Sequence, residues 1–159
     1  MTIRAITRDE RDQLLALYRD LHEVDLPLPS PDAVDAVWDR IEADPNVACF
    51  GVFEGDALVS TCTLAVVPNL TQGCRPFGVI ENVVTRGDRR RRGYGRAVLL
   101  HALAHAWDRG CYKVMLMTGR RNEATYRFYE SAGFDRHAKQ AFVAVRESGD
   151  SVPQAPETP

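Results

Sequence analysis

The sequence predicts an α+β domain built on a mixed β-sheet. Its hydrophobic pattern gives the order β-α-α-β-β-β-α-β-α-β, in which strands follow one another first and alternate with helices later. The chain has 159 residues, 45% hydrophobic and 26% charged, which suits one globular domain. Because strand–helix–strand crossovers are almost always right-handed and join parallel strands, the alternating part should contain a central βαβ unit.

The N-terminal part predicts one strand and two helices. "TIRAIT" (2–7) alternates as a strand does, and Thr7 forms a T-x-x-E capping box with Glu10. Leucines at helical spacing then extend a first helix from Arg8 to about residue 22. A second helix should begin after Ser30, a good N-cap residue that is followed by a proline suited to the first turn.

The middle of the chain predicts three strands. "VACFGVF" (47–53) and "ALVSTCTLAVV" (57–67) flank a turn that contains Gly55, which is the pattern of a β-hairpin. "FGVIENVVT" (77–85) is the third strand.

The C-terminal part predicts two helices that alternate with strands. Apolar residues between Ala97 and Trp107 recur at helical spacing, and "KVMLMT" (113–118) is typical of a strand covered on both faces. Asn122 can cap the next helix, and "AFVAV" (141–145) predicts a last strand.

The end of the chain predicts a disordered tail. Residues 147–159 are polar, acidic and rich in proline, so they lack the apolar groups needed for a core. The folded domain should therefore occupy residues 1–146.

Composition disfavours several classes of protein. The net charge of −2 and pI near 6.1 do not suit a general nucleic-acid binder, and no apolar run approaches the ~20 residues of a membrane span. His101 and His105 lack the glutamate of the H-E-x-x-H zinc motif. The four cysteines form no C-x-x-C pair, so reduced thiols, a cytoplasmic protein and no metal site are predicted.

Positive charge is concentrated between Arg86 and Arg96, where six arginines accompany one aspartate. This segment joins a strand to a helix, and the first N–H groups of a helix have no internal partner and carry the positive end of its dipole. Gly93 and Gly95 would let a ligand approach the backbone closely. The segment therefore predicts an anion site best suited to phosphate.

Two common phosphate-loop patterns do not fit this segment. The string G-x-x-x-x-G-K-[ST] is absent, and G-x-G-x-x-G/A fails because Val98 occupies its last position. An RNA-binding patch would need stacking aromatic residues, of which the segment has only Tyr94.

A third pattern, R-x-x-G-x-G, matches "RRRGYG" (90–95) and resembles the coenzyme A pyrophosphate loop of the GNAT acyltransferases. "NEATYRFYESAGF" (122–134) is similar to the family's second block, with its asparagine, tyrosine and Gly-Phe pair. The resemblance runs from about Thr2 to Val145. It implies a GNAT-like mixed, mostly antiparallel sheet with helices on both faces, and acetyl-CoA as the acyl donor.

The resemblance also implies which residues bind the coenzyme. The loop would hold the pyrophosphate through Arg90, Arg91, Arg92, Gly93, Tyr94, Gly95 and Arg96. Val83 and Val84 would offer backbone groups to the pantetheine arm. Asn122 would contact that arm while it caps its helix, although a cap alone is the competing interpretation.

Tyr129 is the candidate that assists the leaving group. By resemblance it donates a proton or a hydrogen bond to the departing coenzyme thiolate; the alternative is an ordinary core tyrosine. A tyrosine of pKa ~10 is a weaker acid than a thiol of pKa ~8.5, so a hydrogen bond is the better-founded role.

Glu81 is the candidate general base. An amine of pKa ~10.4 must lose a proton before it attacks, which costs about 4.6 kcal/mol at pH 7, and a carboxylate could accept that proton. Glu81 should share a strand face with Val79 and Val83, where a charge is unusual if the face is buried. Some family members use a glutamate at this position as the base, and others use water alone. Three alternatives are therefore open: Glu81 is the base, water is the base, or Glu81 is a surface or structural carboxylate.

The sequence thus predicts direct transfer of acetyl from acetyl-CoA to the amine of a small molecule or amino sugar. A peptide or protein amine as acceptor, and an acyl-CoA-binding regulatory domain without turnover, are the alternatives. An open sheet edge near the last strand would suit a homodimer.

Overall fold

A computed structural model describes residues 1–21 and 26–145 of the chain. Its sheet contains five strands in sequential order, namely β1 (Thr2–Ala5), β2 (Val47–Glu54), β3 (Ala57–Val67), β4 (Phe77–Thr85) and β5 (Val114–Leu116). The helices are α1 (Arg11–Tyr18), α2 (Pro31–Ala43), the single turn α3 (Thr71–Cys74), α4 (Tyr94–Asp108) and α5 (Glu123–Ser131). Short 3-10 turns precede α1 (Arg8–Glu10) and α4 (Gly87–Arg89).

The sheet is antiparallel from β1 to β4 and ends in one parallel pair, β4 with β5. Helix α4 makes the crossover between these two strands, as a parallel connection requires. The predicted mixed, mostly antiparallel sheet with a βαβ unit is therefore confirmed.

Helices cover both faces of the sheet and bury one core on each. Beneath α4 and α5 the core includes Phe50, Leu64, Ile80, Val98 and Leu99. Beneath α1 and α2 it includes Leu14, Leu17, Trp38, Phe53 and Val84. Each such side chain contributes roughly 1.5–3 kcal/mol when it is fully removed from water.

The predicted helix starts are present, but the first helix is shorter than predicted. The Glu10 carboxylate accepts a hydrogen bond from the Thr7 N–H at 3.0 Å, and Ser30 Oγ accepts one from the Ala33 N–H at 3.4 Å. Regular α-helix begins only at Arg11, after a 3-10 turn, and ends at Tyr18. The predicted end near residue 22 lies outside the described residues.

The prediction of a last strand over residues 141–145 is wrong. These residues form no strand, and Phe142, Val143 and Val145 are 92%, 70% and 79% exposed. A β-pattern stabilises a strand only when a neighbour supplies hydrogen bonds and packing. In the described chain β5 pairs only with β4, and residues 141–145 do not add to its outer edge.

The predicted tail (147–159) and residue 146 lie outside the described residues. Within residues 1–21 and 26–145, every helix is too short or too polar to cross a bilayer.

Candidate active site

A cleft of about 760 Å³ opens where β4 and β5 part. The two strands pair only between Gly78–Ile80 and Val114–Leu116. Beyond Ile80, β4 continues for five residues without a β5 partner. The divergence leaves a strand edge facing the cleft, and the walls of the cleft come from the ends of both strands, the start of α4 and the length of α5.

A β-bulge in β4 shapes the wall of this cleft. Thr63 pairs with Glu81 and Thr61 pairs with Val84, so two residues of β4 oppose one residue of β3. Asn82, inside the bulge, has the left-handed φ of 55°. The extra residue reverses the alternation of side chains.

The bulge corrects one expectation about Glu81. Ile80 packs in the core beneath α4, whereas Val84, four residues later, packs in the core beneath α1. Val83 lies against the α4 side, so it does not share a face with Glu81, which alternates with Ile80 on the other side. The Glu81 side chain is exposed and lines the cleft.

Val83 and Val84 both line the cleft, but their backbone groups differ. The Val84 carbonyl accepts a hydrogen bond from Ser60 Oγ at 3.0 Å, so it is directed toward β3. Because successive strand residues direct their backbone groups to opposite neighbours, Val83 is the better placed to present them to the cleft.

The loop before α4 forms a concave set of backbone N–H groups. Arg91 and Gly93 both have left-handed φ, 62° and 83°, and Gly93 is the N-cap of α4. The first α4 hydrogen bond runs from the Ala97 N–H to the Gly93 carbonyl at 2.9 Å. The N–H groups of Tyr94, Gly95 and Arg96 precede that bond and can serve a ligand. This is the geometry of an anion site.

The two loop glycines are needed for different reasons. Gly93 has open space around its Cβ position, so its left-handed φ is what favours glycine. A Cβ on Gly95 would lie 3.0 Å from Phe128 Cζ and 3.1 Å from Thr85 Oγ1. The structure therefore assigns Gly95 to close packing of α4 on α5 and β4, rather than only to space for a ligand.

The arginines of the loop take different positions. Arg90, Arg91 and Arg96, which are predicted to bind the pyrophosphate, line the cleft, and Arg89 joins them. Arg92 does not line it; its charge lies near Glu54 and Tyr94.

Several of these loop side chains are already engaged. Arg89 pairs with Glu54 at 3.0 Å, and Arg96 Nε donates to the Ser131 carbonyl at 2.7 Å. The Tyr94 hydroxyl donates to the Glu54 carboxylate, which raises the pKa of Tyr94. Arg90 Nε donates a hydrogen bond to the Thr85 carbonyl at 3.3 Å, and neither Arg90 nor Arg91 has an ion pair among the described residues. Arg90 and Arg91 are thus the loop guanidiniums available to an anion.

Tyr129 lies in the cleft wall with its ring half-buried. The ring packs 4.9 Å from Phe128 and 6.4 Å from Phe134, measured between centroids. Burial raises the pKa of Tyr129, the nearby Glu81 charge raises it further, and Thr118 and Arg120 lower it by less. The phenol is therefore protonated at neutral pH and can donate a hydrogen bond into the cleft.

Asn122 caps α5, as the sequence predicts. Its Oδ1 accepts a hydrogen bond from the Thr125 N–H at 2.9 Å. The residue is exposed and does not line the cleft, so a contact with the pantetheine arm stays a prediction.

Three further residues border the site and were not predicted from the sequence. The Asp20 carboxylate accepts a hydrogen bond from the Gly87 N–H at 3.0 Å and joins the turn after α1 to the loop before α4. The Tyr18 hydroxyl lies 3.4 Å from the Thr63 hydroxyl beside the bulge, and burial raises the pKa of Tyr18 to about 12. Arg120 lines the cleft after β5. Only Arg120 had a signal in the sequence, a charged pair at the end of a buried strand.

The two histidines of α4 contact an aromatic ring. His101 and His105 lie edge-on against Phe50, with centroids 4.8 and 5.1 Å away. In the part of the chain that the structure describes, no three His, Cys, Asp or Glu side chains are grouped to hold a metal ion.

The cleft thus combines anion-binding amides, an unpaired strand edge, a protonated phenol and a carboxylate. Comparison with known proteins connects this combination to one family. The model of the "Acetyltransferase (GNAT) family" matches residues 11–134. A solved structure from Agrobacterium tumefaciens strain C58, assigned as an acetyltransferase, has a TM-score of 0.85 and 41% identity, and the match covers 92% of this chain and 100% of that one.

Two curated relatives match shorter segments. Glucosamine 6-phosphate N-acetyltransferase of Trypanosoma brucei brucei is 35% identical over 83 residues, which are 52% of this chain and 54% of that protein. Mycothiol acetyltransferase of Thermobispora bispora is 43% identical over 61 residues, 38% of this chain and 21% of that protein. The matches span about half of the first relative and a smaller share of the second.

Proposed function

This chain belongs to the GNAT acetyltransferase family, and from that premise we propose that it transfers acetyl from acetyl-CoA directly to the amine of a small molecule. The observation that carries the proposal is the cleft between β4 and β5, with free amides of α4 at one end and Tyr129 in its wall. A donor with a diphosphate and an extended amide-containing arm suits that shape.

The start of α4 would bind the diphosphate of the donor. The N–H groups of Tyr94, Gly95 and Arg96 precede the first helical hydrogen bond, and Arg90 and Arg91 add positive charge beside them. Charge-assisted hydrogen bonds to phosphate are stronger than neutral ones. The arm would then follow β4, where Val83 offers backbone groups that β5 does not use.

Tyr129 would stabilise the leaving group. The amine nitrogen attacks the thioester carbonyl carbon, the C–S bond breaks, and the electron pair leaves on sulfur. Because burial raises the pKa of Tyr129, its hydroxyl remains protonated and can donate a hydrogen bond to that sulfur.

Glu81 would accept the proton that the acceptor must lose. Its carboxylate is exposed in the cleft and near enough to influence the pKa of Tyr129. The ammonium group of a bound amine would be attracted to this charge and could transfer its proton directly or through water. Water alone is the alternative base.

The acceptor we propose is a small amine, with amino sugars first. Support comes from the curated relatives, one of which is a glucosamine 6-phosphate N-acetyltransferase and the other a mycothiol acetyltransferase.

The test is release of free thiol from acetyl-CoA in the presence of small amines, amino sugars and peptides. We expect small amines to accelerate release and to appear as acetylated products. Acceleration by peptides alone would favour a protein acceptor. Tight binding of acetyl-CoA without acceleration by any amine would favour a regulatory acyl-CoA-binding domain.

We also propose a cytoplasmic homodimer. The outer edge of β5 has no partner among the described strands. Phe142, an apolar residue that follows α5 in the chain, is also exposed. All four cysteines are free thiols, which suits a reducing compartment. Light scattering after gel filtration should give about twice the chain mass of 17.8 kDa; a monomer would contradict the dimer.

A further inference from the structure

We propose that the acceptor amine also carries a phosphate or carboxylate group, and that Arg120 binds this anionic group. The inference rests on the proposed acetyl transfer and specifies its substrate class. It follows from the position of Arg120, from its lack of an ion-pair partner among the described residues and from the negative charge of Glu81 in the same cleft.

Arg120 is held in the cleft wall but its charge is unused. Its N–H donates to Thr118 Oγ1 at 3.2 Å, which fixes the backbone after β5. The side chain lines the cleft, is exposed and has no ion pair with any described residue. By contrast, Arg89 pairs with Glu54, and Arg136 pairs with Glu123 and Glu130 at 3.1 and 2.6 Å.

Arg120 lies at the reacting end of the cleft rather than at the diphosphate end. Arg120 and Glu81 both act electrostatically on the Tyr129 hydroxyl, with opposite signs. The loop before α4 carries its own cations, Arg90 and Arg91, beside the free amides. Arg90, Arg91 and the free amides can therefore bind the diphosphate without Arg120.

The reacting end presents one negative and one positive group to the acceptor. Glu81 suits the ammonium of the acceptor, and Arg120 suits an anion on the same molecule. A guanidinium forms two parallel hydrogen bonds with either a carboxylate or a phosphate. An acceptor amine without an anionic group would leave the Arg120 charge without a partner. Such an acceptor should be acetylated less efficiently.

The experiment compares three acceptors with one skeleton: an amino sugar, its phosphate ester and its carboxylate form. Wild-type protein should acetylate one or both anionic forms with kcat/KM about tenfold or more above the neutral form. Which anionic form is preferred distinguishes phosphate from carboxylate recognition. Inorganic phosphate, used as a probe, should compete with the acceptor and not with acetyl-CoA.

Variants assign the effect to Arg120. Arg120→Ala should raise KM for the anionic acceptor about tenfold, while KM for acetyl-CoA stays unchanged; kcat/KM for the anionic acceptor should fall more than that for the neutral one. Arg121→Ala removes an adjacent exposed charge that does not line the cleft, and should change neither value. Arg120→Lys should recover part of the affinity, because the charge remains without the fork.

Failure of this inference can be told from failure of the proposed function. Equal use of neutral and anionic amines, or a raised KM for acetyl-CoA in Arg120→Ala, overturns the role of Arg120 and leaves acetyl transfer intact. If no amine is acetylated although acetyl-CoA binds, the proposed function fails and the acceptor class falls with it.

Discussion

Replacing Gly95 by alanine tests the packing that places the α4 amides at the cleft. The new Cβ would lie 3.0 and 3.1 Å from Phe128 Cζ and Cε2, and 3.1 Å from Thr85 Oγ1. The Phe128 ring or the start of α4 must therefore move by a few tenths of an ångström. Overpacking of this kind costs about 1–3 kcal/mol. Alanine also stabilises a helix by up to about 1 kcal/mol relative to glycine, which offsets part of this cost.

The net expectation for Gly95→Ala is a loss of about 1 kcal/mol, or roughly 2–4 °C in Tm for a domain of this size. Thermal and urea denaturation followed by circular dichroism measure this loss. Calorimetry should show weaker binding of coenzyme A, because the shift displaces the amides of Tyr94 and Gly95.

A double-mutant cycle with Phe128→Leu identifies the cause. Leucine lacks both contacted ring atoms, so Gly95→Ala should cost about 1 kcal/mol less in that background. Gly93→Ala is the control: its Cβ meets no atom, but its φ of 83° costs about 1–2 kcal/mol, and Phe128→Leu should not relieve that cost. Equal costs of Gly95→Ala in both backgrounds would refute the packing explanation.

Three other predictions concern the reaction and the fold. Tyr129→Phe should lower kcat about a hundredfold, with KM for acetyl-CoA little changed, because only the hydrogen bond to the leaving sulfur is lost; steady-state kinetics that show the reverse pattern would make Tyr129 a binding residue. Glu81→Gln should lower kcat/KM for the acceptor about a hundredfold near pH 7, whereas unchanged rates from pH 6 to 9 would leave water as the base. Hydrogen bonds from Arg4 hold the pKa of Glu10 at about 2, below its ordinary value of 4.5. The ionised carboxylate therefore stabilises the fold fully when the pH is above 4.5, and this stabilisation is lost as the pH falls toward 2. Glu10→Gln should remove that part of the pH dependence of unfolding, and an unchanged acid-unfolding curve would show that the Arg4–Glu10 pair does not stabilise the fold.

Local preferences in the sequence were sufficient to predict the helix starts and the position of the arginine-glycine loop before α4. Ser30 and Asn122 accept hydrogen bonds from N–H groups three residues ahead, and such bonds depend only on residues close in the chain. The loop from Arg90 to Gly95 is equally local, since it joins a strand directly to a helix. The sequence could name Tyr129 as a candidate because it lies in a recognisable block with Asn122, and the structure places it in the cleft wall.

Tertiary structure decided the rest of the site. The bulge at Asn82 depends on how β4 aligns with β3, and it reversed the expected face of Val83 relative to Glu81. Gly95 acquired its packing role only when α5 placed Phe128 beside it. Arg120 became a site residue only because β5 diverges from β4 and opens the cleft there.

The sequence by itself determined the family and, apart from the single turn α3, the order of helices and strands up to α5, because these depend on short stretches of chain. The register of β4, the divergence of β5 and the unpaired state of residues 141–145 were decided by the tertiary structure. Strand partners are distant in the chain, and hydrogen bonding and packing between them select one alignment among several that the local pattern allows.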